Sequence, residues 1–295
     1  MQKIGLNAGF SCPNRDGTKG QGGCLYCNND AFSLQADPSV SNVEQQLRQG
    51  IEWAKRRRKT QKVMAYFQSF SNTYASMDEL HRVYETVRGF PEIVSLAVGT
   101  RPDCIDAAKL DYFSSFCDRY EVWLEYGLQS GRDETLRAVN RGHTVADFIA
   151  AVRLTRAHPG IKICAHVIFG LPGESRSDMM KTIDLVNELR IEGIKFHPLH
   201  AVRNTGLARL YDDNSWRPLS RDTYTSLVMS GLERLNQQVV IQRLTADCPR
   251  DLLIAPEWLS EKGAVVGEIE EKMTRNNVWQ GKKQNDIHPV QEGIC

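Results

Sequence analysis

Short apolar, β-branched runs alternate along the chain with longer segments whose apolar positions recur every three to four residues. The runs predict strands over 3–6, 63–67, 94–98, 122–126, 163–169 and 193–197. The longer segments predict helices over 43–57, 77–88, 105–117, 144–157 and 175–189. Start signals mark several of them: Ser76 with Asp78, and Thr144 with Asp147. Strands separated by helices imply parallel βαβ units with right-handed crossovers. Six such units imply a partial (β/α)6 barrel. Every strand end then runs into a polar or glycine-rich stretch, and in βα barrels such ends converge on one mouth.

From about Asn214 the rhythm stops. A helix over 220–235, a short strand over 239–242 and a helix over 267–273 remain, which reads as a small α/β extension over 214–276 behind a core of 1–213. Residues 277–295 show no periodicity and are expected to fray. The chain has 295 residues and a formal net charge of +1, so no global field favours nucleic acid or a membrane. It has no apolar run of membrane-spanning length and no signal-like start, so a cytoplasmic location with reduced thiols is expected.

Composition matters most at the cysteines, of which there are eight. Cys117 and Cys164 sit among apolar neighbours, Cys104 and Cys248 beside prolines, and Cys295 is the last residue; free buried or surface thiols account for them. Cys12, Cys24 and Cys27 differ. They share a C-x11-C-x2-C loop, "CPNRDGTKGQGGCLYC", with too few apolar residues to pack. Three thiolates at a barrel mouth want a metal. Zinc takes three or four such ligands, and an iron–sulfur cluster normally takes four thiolates, so that three leave one iron open. Spacing alone leaves both readings standing.

Seven stretches carry a resemblance: "GFSCPNRDGTKGQGGCLYCN", "AYFQSFSNTY", "VGTRPDC", "LEYGLQSGRDETLRAVNRGHT", "HVIFGLPGES", "IKFHPLHAVRNTGLARLY" and "RLTADCPRDLLIAPEW". Together they resemble the radical S-adenosylmethionine (SAM) superfamily, its elongator-catalytic-subunit-like branch, and within that the bacterial YhcC-type family. The resemblance implies that Cys12, Cys24 and Cys27 each bind one iron of a [4Fe–4S] cluster, and that SAM chelates the fourth. It implies reductive cleavage of SAM to a 5′-deoxyadenosyl radical, which abstracts hydrogen from a substrate. It also implies a low-potential electron donor such as flavodoxin or ferredoxin, and no membrane partner. The superfamily's commoner spacing is C-x3-C-x2-C; the elongator-like branch lengthens the first gap, as here.

The same resemblance places SAM against particular residues. Tyr26 neighbours the adenine. Gln68 stands where a carboxylate-bearing motif usually holds the SAM ammonium, and its carbonyl can accept that bond. Glu125, Gln129 and Ser130 reach the ribose side, Arg141 the SAM carboxylate, and Gly170 and Pro172 the adenine. A salt-bridged barrel residue is the bland alternative for Glu125, and a plain turn for the glycines. Arg101, His197 and His200 are candidates to face the substrate, while His166 reads as a satisfied inward residue.

The basic run "KRRRKTQK" is either a solvated helix end or an RNA-phosphate patch. The elongator-like branch modifies tRNA, so RNA is carried as a partner. The competing class of function is an iron–sulfur or zinc protein that binds RNA without radical chemistry.

Overall fold

The computed structural model describes residues 1–28 and 42–284. Six strands follow the expected order: β1 (Gln2–Leu6), β2 (Val63–Phe67), β3 (Ile93–Thr100), β4 (Glu121–Gln129), β5 (Ile161–Phe169) and β6 (Gly193–Pro198). Helices α1 (Val43–Arg58), α2 (Met77–Tyr84), α3 (Ala107–Ser114), α4 (Asp133–Ala138), α5 (Val145–Arg156) and α6 (Arg176–Glu188) connect them. The strands pair in parallel, in sequence order, into a curled half-barrel sheet.

Local chemistry explains the boundaries. Asn42 caps α1 by accepting from Glu44 N at 2.7 Å. Ser76 with Glu79, Thr144 with Asp147 and Ser175 with Asp178 form capping boxes that start α2, α5 and α6. The expected helix over 77–88 closes earlier, at Tyr84, into a 3-10 turn over Glu85–Gly89. The unforeseen α4 has six residues, too few to show a period.

Strand residues alternate between two faces. One phase, with Leu6, Phe67, Leu124, Ile163 and Phe196, packs outward on the helices and forms the main core. The other phase faces the barrel lumen. Its lower part is apolar, built from Met64, Ala97, Trp123 and Cys164. Its upper part carries Tyr66, Glu125, His166 and Lys195, all lining or flooring one cavity.

The boundary expected near Asn214 is not a break in the sheet. After β7 (Ala201–Val202), α7 (Gly206–Asp212) and α8 (Arg221–Arg234), strand β8 (Val240–Arg243) joins β6 in parallel as the seventh strand. Then β9 (Leu253–Ala255) returns to pair antiparallel with β7, and α9 (Lys262–Arg275) packs on α8 through Val265 and Ile269. The strand–helix rhythm therefore continues for one more unit, whose strand is the short one expected over 239–242. The segment expected to fray from Asn277 is held as far as Gln284. Gly281 N donates to Leu232 O at 3.0 Å, and Gln280 Nε2 donates to Val239 O at 2.8 Å. Residues 285–295, including Cys295, lie outside the described residues.

Two helix glycines separate propensity from packing. Gly267 in α9 is exposed, with open space where a Cβ would stand, so Gly267→Ala is expected to raise stability by about 0.5–1 kcal/mol. Gly50 in α1 lies directly on Ile4 of β1, so close that a Cβ would collide with its Cγ2. There the same substitution should lower stability by about 1–3 kcal/mol. Denaturant midpoints of the two variants, shifted in opposite directions, check the packing of α1 on β1.

Candidate active site

The three thiols of the first loop are free and line one wall of a cavity of about 630 Å³ at the C-terminal ends of the strands. The loop has almost no apolar anchor and is tied by polar bonds instead. Asn14 Nδ2 donates to Asn140 O at 2.6 Å, and Asn140 Nδ2 donates back to Gly23 O at 2.8 Å. Leu25 N donates to Val139 O, and Ser71 N to Ser11 O. Lys19 reaches Asp103 at 2.6 Å, and Asp103 holds Arg101 by two bonds of 2.9 and 2.8 Å. Arg101 Nη1 then donates to Arg141 O at 2.7 Å. Burial opposes the Asp103 charge, but Arg101 and Lys19 hold its pKa at about 2.

The donors around sulfur suit thiolates. Asn14 Nδ2 and Arg141 Nη1 each donate to Cys24 Sγ at 3.6 Å. Arg15 donates to Cys27 O at 2.6 Å, and its charge acts on all three thiols. Burial and the neighbouring Cys24 push the Cys27 thiol up, against Arg15. Among the described residues, no three His, Cys, Asp or Glu side chains group to hold a single metal ion.

Gly127 makes room for this arrangement. A Cβ there would stand 2.5 Å from both Arg141 Nη2 and Gln129 Nε2. Strand β4 bulges between Gly127 and Gln129, and Gln129 takes a left-handed φ of 68° to turn back over the cavity. Arg141 Nη2 donates to Gly127 O at 3.1 Å.

Of the residues expected at SAM, the structure brings Tyr26, Gln68, Glu125, Gln129 and Arg141 to the cavity. The Tyr26 hydroxyl is buried without a partner. Ser130, Gly170 and Pro172 are not part of its lining. Ser130 is buried, and its hydroxyl turns to the Glu174 carboxylate while accepting from Arg132 N at 3.0 Å. Gly170 faces the other way, its carbonyl accepting from Trp216 Nε1 at 3.1 Å. The strand-five turn thus packs on the segment that follows α7, which the local motif does not reveal.

The substrate candidates separate. His197 and His200 line the cavity, and His197 Nε2 is buried without a partner. Burial and the nearby Arg243 hold His197 neutral. Arg101 also borders the cavity, but it is 2% exposed and its guanidinium is committed to Asp103 and Arg141 O, which makes it a brace for the thiol loop.

Glu125 takes the salt-bridged position that was the alternative for it, and it also borders the cavity. Its Oε2 is ion-paired with Lys195 and accepts from His166 Nε2 at 2.8 Å, while Oε1 is buried and unengaged. Burial opposes the Glu125 charge, yet Lys195 and His166 hold it well below the usual carboxylate range. Burial takes Lys195 down to about 8 despite Glu125, and His166 to about 4. Lys195 Nζ also donates to Tyr66 OH at 3.0 Å. Sequence reasoning missed Lys195, Tyr66 and Lys3, whereas Arg243, with Asp247 and Arg250, was a candidate to close over the mouth or to pin the C-terminal part to the barrel, and it lines the cavity. The available signal was a charge inside an apolar strand, Lys195 in "GIKFHP", in the inward phase.

Comparison with known proteins bears on this geometry. A radical SAM superfamily profile matches residues 12–186, and a Radical_SAM C-terminal domain profile matches residues 191–275. The chain belongs to the radical SAM superfamily and is a radical SAM enzyme, served by a [4Fe–4S] cluster and SAM. Its relatives place it in the elongator-like branch. Protein YhcC of Escherichia coli (strain K12) is 36% identical over 94% of this chain and 89% of its own. Protein YtqA of Bacillus subtilis (strain 168) is 35% identical over 95% and 87%. In fold, the archaeal Methanocaldococcus infernus Elp3 superposes with a TM-score of 0.67, covering 100% of this chain and 70% of that one, at 15% identity. Among the described residues, no helix is long and apolar enough to cross a membrane.

Two expectations follow from Glu125, which is buried, and Glu174, which is half-buried. Glu125→Gln leaves Lys195 buried without its counter-ion, which should cost about 3–5 kcal/mol near neutral pH. Lys195 sheds its proton in the fold before it does in the unfolded chain, so the deficit relative to the parent should shrink as pH rises from 7 toward 10. Thermal unfolding across that range checks this.

Glu174 behaves oppositely. Burial raises it to about 7 despite the Ser130 hydroxyl. The fold therefore keeps a proton that the unfolded chain has lost, and this contribution is present below about pH 4.5 and declines up to about pH 7. Relative to Glu174→Gln, the parent should lose stability across that window and run parallel above it, as read from melting temperatures.

Proposed function

We propose that Cys12, Cys24 and Cys27 ligate the cluster and that Tyr26, Gln68, Glu125, Gln129 and Arg141 receive SAM, for hydrogen abstraction from an RNA substrate. The observation that carries the reading is the thiol wall itself: three free cysteines facing one cavity, with Asn14, Arg15 and Arg141 supplying N–H donors and positive charge beside sulfur. When bound, the cluster and SAM supply one-electron cleavage of SAM and an adenosyl radical. The chain's own residues do the rest.

Arg141 offers a guanidinium beside Cys24, placed for the SAM carboxylate. Gln68 and the free Oε1 of Glu125 offer acceptors to ammonium and hydroxyl groups. Tyr26 supplies a half-buried aromatic wall. His197 is neutral and lines the same space, so it can accept or donate without bringing a charge.

RNA as substrate is supported by the elongator-like relatives and by the basic end of α1. There Arg56, Arg57 and Arg58 are exposed, Arg58 lies 5.6 Å from the Trp53 ring, and Trp53 is itself exposed, a pairing of charge and aromatic face that suits nucleic acid. Lys55 is taken by Glu92 at 2.8 Å.

The test is anaerobic reconstitution with iron and sulfide, followed by reduction with SAM and with RNA from cells grown in deuterated medium. Deuterium is expected in 5′-deoxyadenosine. Cys24→Ala should lose both the iron chromophore and SAM cleavage, whereas Cys117→Ala should keep both. Unlabelled 5′-deoxyadenosine made at the same rate with and without RNA would remove RNA from the proposal.

A further inference from the structure

The lumen below the thiol wall carries more positive charge than its own residues neutralise. Lys195 on β6 pairs with Glu125, and the other carboxylate that lines the cavity among the described residues, Asp247, is taken by Lys262 at 2.7 Å. Two further cations come from the edge strands of the half-barrel, Lys3 from β1 and Arg243 from β8, the latter in register with Lys195. Lys3 and Arg243 line the same cavity as Glu125 and His166, with Lys195 behind Glu125. Lys3 spends its ammonium on the Tyr66 ring, 4.5 Å from the centroid. Among the described residues, no hydrogen bond or ion pair engages the Arg243 guanidinium. The layer therefore holds three cations against one anion, with His166 and His197 uncharged.

A partly enclosed excess of positive charge is costly unless an anion completes it. Arg243 presents a planar fork suited to a phosphate or carboxylate, and Lys3 adds a point charge. We propose that this floor is a seat for an anionic group of the substrate, a phosphate or a carboxylate, held between Arg243 and Lys3 with Lys195 behind. The proposal rests on reading the cavity as the active site. The place assigned to the SAM carboxylate is a different one: Arg141 is held beside Cys24 Sγ and Gly127 O, on the side of the thiol loop. It would orient the substrate from below and leave its other end under the thiol wall.

The two edge cations are also the ones a test can change safely. Both are only half-buried, and neither supports Glu125 by an ion pair. The reconstituted full chain is titrated with orthophosphate and with succinate at constant ionic strength, with chloride as the reference anion, by calorimetry. SAM affinity and 5′-deoxyadenosine formation are measured beside it. Saturable binding of either anion is expected, weakened at least fivefold by Arg243→Gln and by Lys3→Gln, with SAM affinity kept. Tighter orthophosphate assigns the seat to a phosphate-bearing substrate, tighter succinate to a carboxylate-bearing one, and both support it. Binding no better than chloride, binding unchanged in both variants, or anions that displace SAM would each overturn the seat. Intact anion binding with its variant effects, but no 5′-deoxyadenosine, would support the seat and refute the radical reading instead.

Discussion

A loop that must present three thiols cannot also bury a core, and the exchange between Asn14 and Asn140 resolves that conflict. One amide ties the loop to the turn after α4, and the other ties that turn back to the loop at Gly23. The turn itself needs two left-handed residues, Asn140 at φ 51° and Gly142 at φ 70°, and only short side chains tolerate them. At Gly142 a Cβ would stand 2.7 Å from Asn14 Oδ1, so the glycine is also what lets the two segments touch. Backbone bonds cost little side-chain entropy and are stiff when shielded from water. The loop thus borrows its order from the barrel.

The barrel in turn divides its labour by strand phase. The outward phase packs aliphatic and aromatic groups against helices. The inward phase grades from Trp123 and Met64 through the Glu125–Lys195 pair to the open cavity. A buried ion pair is poor evidence of stability in general. Here its value is positional: Lys195 fixes one oxygen of Glu125 and leaves the other without a hydrogen-bond partner in a residue that borders the cavity. A hydrophobic substitute would pack as well and present nothing.

Most of the architecture was legible because its signals are local. Apolar runs, capping boxes and polar strand ends are set by neighbours within a few residues, and six strands, five helices and their convergence followed from them. What escaped depends on distant partners. Strand β8 was expected as a short strand, but its place as the seventh strand of the main sheet depends on the edge that β6 offers it. Ser130 and Gly170 sit in motifs that suggest a ligand, yet Glu174 and Trp216, 44 and 46 positions away, decide where they face. The thiol loop was legible through its own lack of apolar residues, but Asn140, which anchors it from 126 positions away, was not.

The turn at 139–142 is shared property. Its backbone carries the thiol loop, and its Arg141 side chain reaches both Cys24 and the cavity. Whatever order thiol ligation imposes on that turn is order that a ligand meeting Arg141 no longer has to impose. Thermodynamic linkage makes the effect mutual. With the thiols holding the cluster and Arg141 meeting SAM as proposed, cluster insertion and occupancy of the adjoining cavity would be one linked equilibrium.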